Sequence, residues 1–341
     1  MKALLLVLIF VRICFPAVEV IDKIHMDITV DRKGVPCIFY IDPPCYIYEG
    51  INNEIIVPQK TFFEVFDKKG KLQGRYGNKG MGPGDFNNIM SLIVYDGRYY
   101  FHDYPNVISV FDSKFKFLKR SVYGGFRISQ FMETFDIFRN KIYSVQNFRR
   151  KKREYDSISV YSMNGKCISH FFDQSIIWKV YPELTLTNGK ILVANDHIYF
   201  SHFSIPKLYK LNLKGEKVNS IKFGEKWWKK IDYNEKRFKK RVERFGDKAY
   251  VKLLLSGDRI MRMLKWKNFI IVHVLKDPSE DYAKHGFVVF TKNLKKRTNF
   301  IFYKDYHFSG AGKFLYFSKE LEEYDNKDKY KVEVLKCDIK F

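Results

Sequence analysis

The side chains suited to metal or acid–base chemistry are thinly spread along this chain. His102, His197 and His202 each lie beside a short aromatic phrase, Tyr99-Tyr100-Phe101 or Ile198-Tyr199-Phe200, and Asp103, Asp136 and Asp196 stand in comparable places. Brought together from separate strands, such imidazoles and carboxylates would hold a divalent metal and activate water on it. Isolated histidines on aromatic strands more often serve as partly buried structural residues, and aspartates at strand ends more often close turns. No metal, cofactor or catalytic residue is therefore assigned. The chain has no Gly-x-Ser-x-Gly elbow, no His-Glu-x-x-His pair and no Cys-x-x-Cys pair, so hydrolase, metalloprotease and zinc-knuckle patterns are missing.

Two basic clusters carry a sharper signal. Arg149, Arg150, Lys151, Lys152 and Arg153 fall between two strand-like phrases and read as an exposed hairpin loop. Residues 225–258 place Trp227, Ile231, Asn234, Phe238, Val242 and Phe245 at helical spacing, with Lys229, Lys230, Lys236, Arg237, Lys239, Lys240 and Arg241 around the rest. Lys and Arg mixed with Trp227, Trp228 and Tyr233 can bind single strands, sugars or anionic surfaces. The competing reading is a solvated loop and an amphipathic helix packed on a larger body. The overall charge agrees with either: 61 Lys and Arg against 38 Asp and Glu give +23, spread along the whole chain.

The elements that must position these residues are strands. Phe and Tyr number 32 and 23, and both favour pleated, half-buried structure. A phrase of strand, Gly- or Asn-containing turn and second strand recurs around Phe66, Phe111, Tyr161, Tyr209, Phe290 and Val334. Most successive copies lie about 44 to 50 residues apart, the length of a four-stranded propeller blade. The exceptional gap holds the 225–258 segment, which thus reads as a helical insertion. Between the markers, Gly97-Arg98-Tyr99, Asn140-Lys141-Ile142, Asp196-His197-Ile198 and Lys267-Asn268-Phe269 each read as a turn entering the second strand of a hairpin.

The start of the chain, Met1-Lys2-Ala3-Leu4-Leu5-Leu6-Val7-Leu8-Ile9-Phe10, reads as a secretory signal over residues 1–20, too short to span a bilayer as an ordinary helix. Cys14 invites a lipid anchor, but Arg12 sits where a lipobox wants a small or apolar residue, so cleavage near Pro16-Ala17 is expected instead. No other apolar run approaches a membrane span. Export would permit disulfides among Cys37, Cys45, Cys167 and Cys337, and buried free thiols are the alternative. Strands are expected over residues 21–30 and 38–41, the first of them beginning the folded body.

Val65-Phe66-Asp67-Lys68-Lys69-Gly70-Lys71, then Gly80-Met81-Gly82-Pro83-Gly84-Asp85-Phe86, then Tyr99-Tyr100-Phe101-His102-Asp103 and Val110-Phe111-Asp112 resemble the six-bladed β-propellers of the NHL-repeat and TolB-like type. The match is close over residues 63–112 and degenerate after, where Gly124-Gly125-Phe126 is a remnant of the glycine-rich crossing. The resemblance implies an all-β, six-bladed propeller over residues 21–341, its last blade closed by strands from both ends of the chain. It also allows an axial metal, since propeller lyases related to this group hold one centrally. No Lys-Ser or Lys-Thr follows the glycines, so the crossing is no phosphate cradle. The expectation is an exported monomer, secreted or periplasmic, binding a protein or an anionic polymer or surface. Nucleic acid becomes the expected ligand only if the N-terminal run is a core strand and the protein stays in the cytoplasm. A propeller lyase or hydrolase with an axial metal is the alternative.

Overall fold

The computed structural model describes residues 17–29, 46–104, 106–123, 135–150, 153–171, 189–224, 226–231, 233–246, 249, 252–253, 256–276, 284–302, 307–311, 313–323 and 329–340. Residues 1–16 of the stretch read as signal over 1–20, with Cys14, and Cys37, Cys45, the strand expected over 38–41, the crossing remnant at 124–126, and Lys151 and Lys152 lie outside these.

Among the described residues, six four-stranded antiparallel sheets account for every strand. The N-terminal strand β1 (Ala17–Thr29) belongs to the last of them. Blade 1 is β2 (Tyr48–Glu49), β3 (Ile55–Pro58), β4 (Phe63–Phe66) and β5 (Leu72–Tyr76). Blade 2 is β6 (Ile89–Tyr95), β7 (Arg98–Asp103), β8 (Val107–Phe111) and β9 (Phe117–Val122). Blade 3 is β10 (Phe135–Phe138), β11 (Lys141–Arg150), β12 (Arg153–Ser162) and β13 (Cys167–Phe171). Blade 4 is β14 (Lys190–Ala194), β15 (His197–Ser201), β16 (Lys207–Asn212) and β17 (Lys217–Lys222). Blade 5 is β18 (Arg259–Trp266), β19 (Phe269–Lys276), β20 (Lys284–Thr291) and β21 (Lys296–Phe302). Blade 6 is β22 (His307–Ala311), β23 (Leu315–Glu323), β24 (Lys329–Lys340) and, as its outermost strand, β1. This is the expected six-bladed propeller. β1 pairs with β24 from Ala17↔Lys340 to Thr29↔Lys329, so strands from both ends close the ring. The strand starts at Ala17, four residues before the expected start, inside the stretch read as signal.

The recurring phrase is a turn with a physical logic. In blades 1 to 5 a side-chain oxygen of Asp67, Asp112, Ser162, Asn212 or Thr291 accepts the backbone N–H four residues on, at 2.9 to 3.2 Å. The fourth residue of each turn, Gly70, Phe115, Gly165, Gly215 or Leu294, has positive φ between 60° and 90°, the conformation that makes glycine the easy choice. Each turn ends in a register shift of the third and fourth strands, a bulge. The pattern corrects one marker. Leu211, next to Asn212, is the counterpart of Phe66, whereas Tyr209 lies two residues early.

Blades meet through interdigitated apolar faces. Between blades 1 and 2, Phe86 at 0% exposure packs on Phe63, Phe101 and Phe111 with ring centroids 5.5 to 6.1 Å apart. The Gly77–Phe86 stretch is therefore a joint, as its sequence suggests. Gly77 has φ 89°, and a Cβ there would lie 2.7 Å from the Phe86 ring. Arg120 from β9 holds the crossing by donating to the carbonyls of Met81 and Asp85.

Candidate binding face

Strand direction sorts the functional candidates between the two faces of the disc. Turns joining first to second and third to fourth strands share one face. Connections from second to third strands, and from blade to blade, share the other, called here the upper face. β11 and β12 remain paired to Arg149↔Glu154 and Arg150↔Arg153, so Arg149, Arg150 and Arg153 stand at a hairpin tip on the upper face. Each strand has ten residues, against five in β15 and six in β7. At ~3.3 Å per residue the hairpin overhangs its neighbours by roughly 15 Å.

The insertion runs from β17 to β18 and so lies on the same face. Its helix α1 (Glu235–Phe245) is shorter than the periodicity predicts. Asn234 is the N-cap, its Oδ1 accepting from Arg237 N–H at 3.0 Å, and Gly246 ends the helix at φ 54°. Phe238 is buried with Ile231, Ala249, Leu253 and Phe203, the last from the β15–β16 connection of blade 4. Phe245, expected on the apolar face, is 52% exposed. Lys236, Arg237, Lys239 and Lys240 are exposed and Arg241 half-buried.

Trp227 and Trp228 have a different job. They are half-buried against the core shared by blades 4 and 5, with Trp228 edge-on to Phe223 at 6.2 Å. Lys276 Nζ lies 4.8 Å from the Trp227 ring and donates to the Trp227 carbonyl at 3.3 Å. A clasp closes the base of the insertion: Lys229 N–H donates to Asp258 Oδ2 at 3.0 Å, and Asp258 N–H to the Lys229 carbonyl at 2.8 Å.

The histidines and aspartates singled out for a metal are dispersed. His102 and His202 are buried at the upper ends of blades 2 and 4, whereas His197 lies at the lower end of blade 4, with Nδ1 2.6 Å from the Asn195 carbonyl. His202 Nδ1 accepts from Ser204 N–H at 3.3 Å, and burial lowers its pKa to about 3. Asp103 accepts the N–H groups of Asn87 and Asn88, with burial raising its pKa. Asp136 on β10 accepts Val193 N–H of the neighbouring blade at 2.6 Å, and burial pushes its pKa up to about 6. Asp196 pairs with Arg139 at 2.8 Å between lower-face turns of blades 3 and 4. Among the described residues no three His, Cys, Asp or Glu side chains are grouped to hold a metal.

Sequence reasoning passed over a buried basic set at the upper end of the innermost strands. Lys190, Arg259 and Arg262 are 3% to 6% exposed. Arg262 Nη1 donates to the Ser309 carbonyl at 3.1 Å, and its guanidinium lies 5.2 Å from the Tyr46 ring. His273 Nε2 and His285 Nδ1 are 2.9 Å apart nearby, and burial followed by the His285, Arg262 and Lys190 charges holds His273 well below the ordinary histidine range. Arg259 and Arg262 three residues apart in an apolar strand were the available signal. Cys167 and Cys337 carry free thiols. Among the described residues no helix is long and apolar enough to cross a membrane.

No protein-family model matches the chain, and no curated protein matches it. Solved structures do. A member of the DUF4221 family from Bacteroides vulgatus is 11% identical, with 95% of this chain and 98% of that one covered at a TM-score of 0.61. A Bacteroides fragilis protein named as a putative exported protein is 12% identical, with 94% and 96% covered at a TM-score of 0.55. At such identity the likeness is one of fold, and the propeller architecture is what these proteins share with this chain.

Proposed function

We propose that this chain is an exported, monomeric six-bladed propeller of the NHL-repeat or TolB-like kind, working as a binding module whose anionic ligand docks on the upper face. One observation supports the reading: the β11 and β12 ends at Arg150 and Arg153 and the helix α1, basic segments far apart in sequence, fall on one face of the disc. The insertion is anchored through Asp258, Phe203 and the two tryptophans, so its charges are presented by a rigid support. Export is supported by the short basic start and apolar run of the sequence, Lys2 followed by Leu4-Leu5-Leu6-Val7-Leu8-Ile9-Phe10. N-terminal sequencing of secreted protein should find a mature end close to Ala17, and an intact Met1 would refute export.

The binding test is charge reversal. Replacing Lys236, Arg237, Lys239, Lys240 and Arg241 with Glu should abolish salt-sensitive binding to anionic polymers while leaving the thermal midpoint almost unchanged, because four of the five are exposed. Unchanged binding would discard the insertion as the docking surface.

A further inference from the structure

We infer that the upper end of the propeller axis holds a second site, apart from the basic insertion, where Lys190, Arg259 and Arg262 take a compact oxyanion, the carboxylate or phosphate of a small molecule. This site stands on its own and does not require the insertion to bind anything.

Strand register brings the groups together. Lys190 and Arg259 open β14 and β18, the adjacent innermost strands of blades 4 and 5. Arg259 pairs with Leu275 and Arg262 with His273, and a bulge between Ile260 and Arg262 sets the two arginines, three residues apart, on one face of the sheet. Leu275 in turn pairs with His285, and His273 with Phe287, so both imidazoles join that face. The opposite face carries Ile260, Met263, Val272 and Val274 into the core shared with blade 4. From the basic face Arg262 reaches past blade 6 to blade 1. Its Nη1 donates to the Ser309 carbonyl at 3.1 Å and its Nη2 to Tyr48 Oη at 3.5 Å, and the guanidinium lies 5.2 and 5.7 Å from the Tyr46 and Tyr48 rings.

The electrostatics ask for an anion. Lys190, Arg259, Arg262, His273 and His285 are each 3% to 6% exposed. Burying cations side by side costs their hydration and sets them repelling one another. Ser309 and Tyr48 offer Arg262 neutral oxygens, which accept hydrogen bonds without cancelling charge. The field is felt at His273, which burial, His285, Arg262 and Lys190 together hold well below the ordinary histidine range. An oxyanion among these groups accepts charge-assisted hydrogen bonds and relieves the repulsion, and the planar donor fork of arginine fits a carboxylate or a phosphate.

A metal and a polymer fit less well. Two imidazoles with Nε2 and Nδ1 2.9 Å apart would suit a cation in other surroundings, but three cationic side chains repel one here. As a neutral pair they keep one outward N–H whichever ring donates the shared proton, which suits an anion. Enclosure decides size. None of the five side chains is more than 6% exposed, so a single compact group fits where a polymer chain or a lipid surface does not.

The test titrates the full chain with inorganic phosphate and, separately, with malonate in a chloride buffer, read by isothermal calorimetry and by the thermal midpoint. At least one of the two anions should bind saturably at a single site and raise the midpoint. Stronger phosphate binding assigns a phosphate-bearing ligand, and stronger malonate binding a carboxylate. Lys190→Met and Arg259→Met should each weaken that anion by at least about tenfold and abolish the rise in midpoint; if Arg259→Met fails to fold, Lys190→Met carries the test alone. No saturable binding of either anion by the native protein would overturn the site. Binding that Lys190→Met and Arg259→Met leave unchanged would overturn it as well, by placing the anion elsewhere on the basic surface.

Discussion

Thr29, the last residue of β1, donates its backbone N–H to Glu64 Oε2 at 3.0 Å, which ties the closing strand of blade 6 to blade 1. Glu64 is 1% exposed and also accepts from Arg75 Nη2 at 2.8 Å, and Arg75 reaches Thr29 Oγ1. The carboxylate thus joins first and last blades beside the place where the ring closes. Glu64→Ala would leave the Arg75 charge and the Thr29 donor without this acceptor, a loss of about 2–4 kcal/mol. Glu64→Gln keeps one acceptor and should cost less. Denaturant melts of both variants check this, and equal stability of Glu64→Ala and the native protein would remove the latch.

Ring closure itself depends on β24, which lies between β23 and β1 in the sheet. Deleting residues 330–341 removes the partner of both neighbours, including the buried Val332, Val334, Leu335 and Cys337. Two sheet edges would open at once, a template for aggregation. The truncated chain should be recovered insoluble or without a cooperative transition. A soluble product with native circular dichroism would show that the ring closes without it.

How much of this was legible follows from what each signal depends on. The blade turns were readable because a short side-chain acceptor and a positive-φ residue must sit at fixed offsets, as in Asp67 with Gly70 and Asp112 with Phe115. The same rule mislocated the fourth marker only where the aromatic Tyr209 drew attention from Asn212. Helical spacing at Trp227 and Ile231 was real but not helical. Ile231 reaches the Phe238 cluster from an irregular segment, and Asn234 caps the helix after it. Spacing records which residues face a core, not the backbone that brings them there. The buried Lys190, Arg259 and Arg262 escaped because burial of a basic residue near an axis depends on how six sheets assemble.

Two buried titratable groups should pull stability in opposite directions with pH. Burial lowers the His202 pKa from 6.5 to about 3, so the unfolded chain binds the extra proton between those values. Stability from this group is present above pH 6.5 and is lost as pH falls towards 3, by on the order of 4–5 kcal/mol. Asp136 is raised from 3.8 to about 6, so its contribution is present below pH 3.8 and is lost as pH rises through 6, by on the order of 2–3 kcal/mol. Chemical melts across pH 4 to 7 should show that His202→Asn flattens the acid limb and Asp136→Asn steepens it. Parallel curves for native and variant proteins would mean that neither group is held away from water.

The joint between blades 1 and 2 offers the sharpest packing test. Phe86 sits at 0% exposure among Phe63, Phe101 and Phe111, and its backbone is bonded to Asn78 and Gly80 across the crossing. Phe86→Ala would leave a cavity lined by rings that bonded strands hold in place, at a cost of about 3–5 kcal/mol. Gly77→Ala attacks the same contact from the other side, since its φ of 89° disfavours a side chain and the added Cβ meets the Phe86 ring at 2.7 Å; about 1–3 kcal/mol is expected. Because both act on one contact, the double variant should lose less than the sum of the single losses, the ring that Gly77→Ala displaces having gone. Simple additivity in urea melts would show that Gly77 is required by its backbone conformation alone and not by the Phe86 ring.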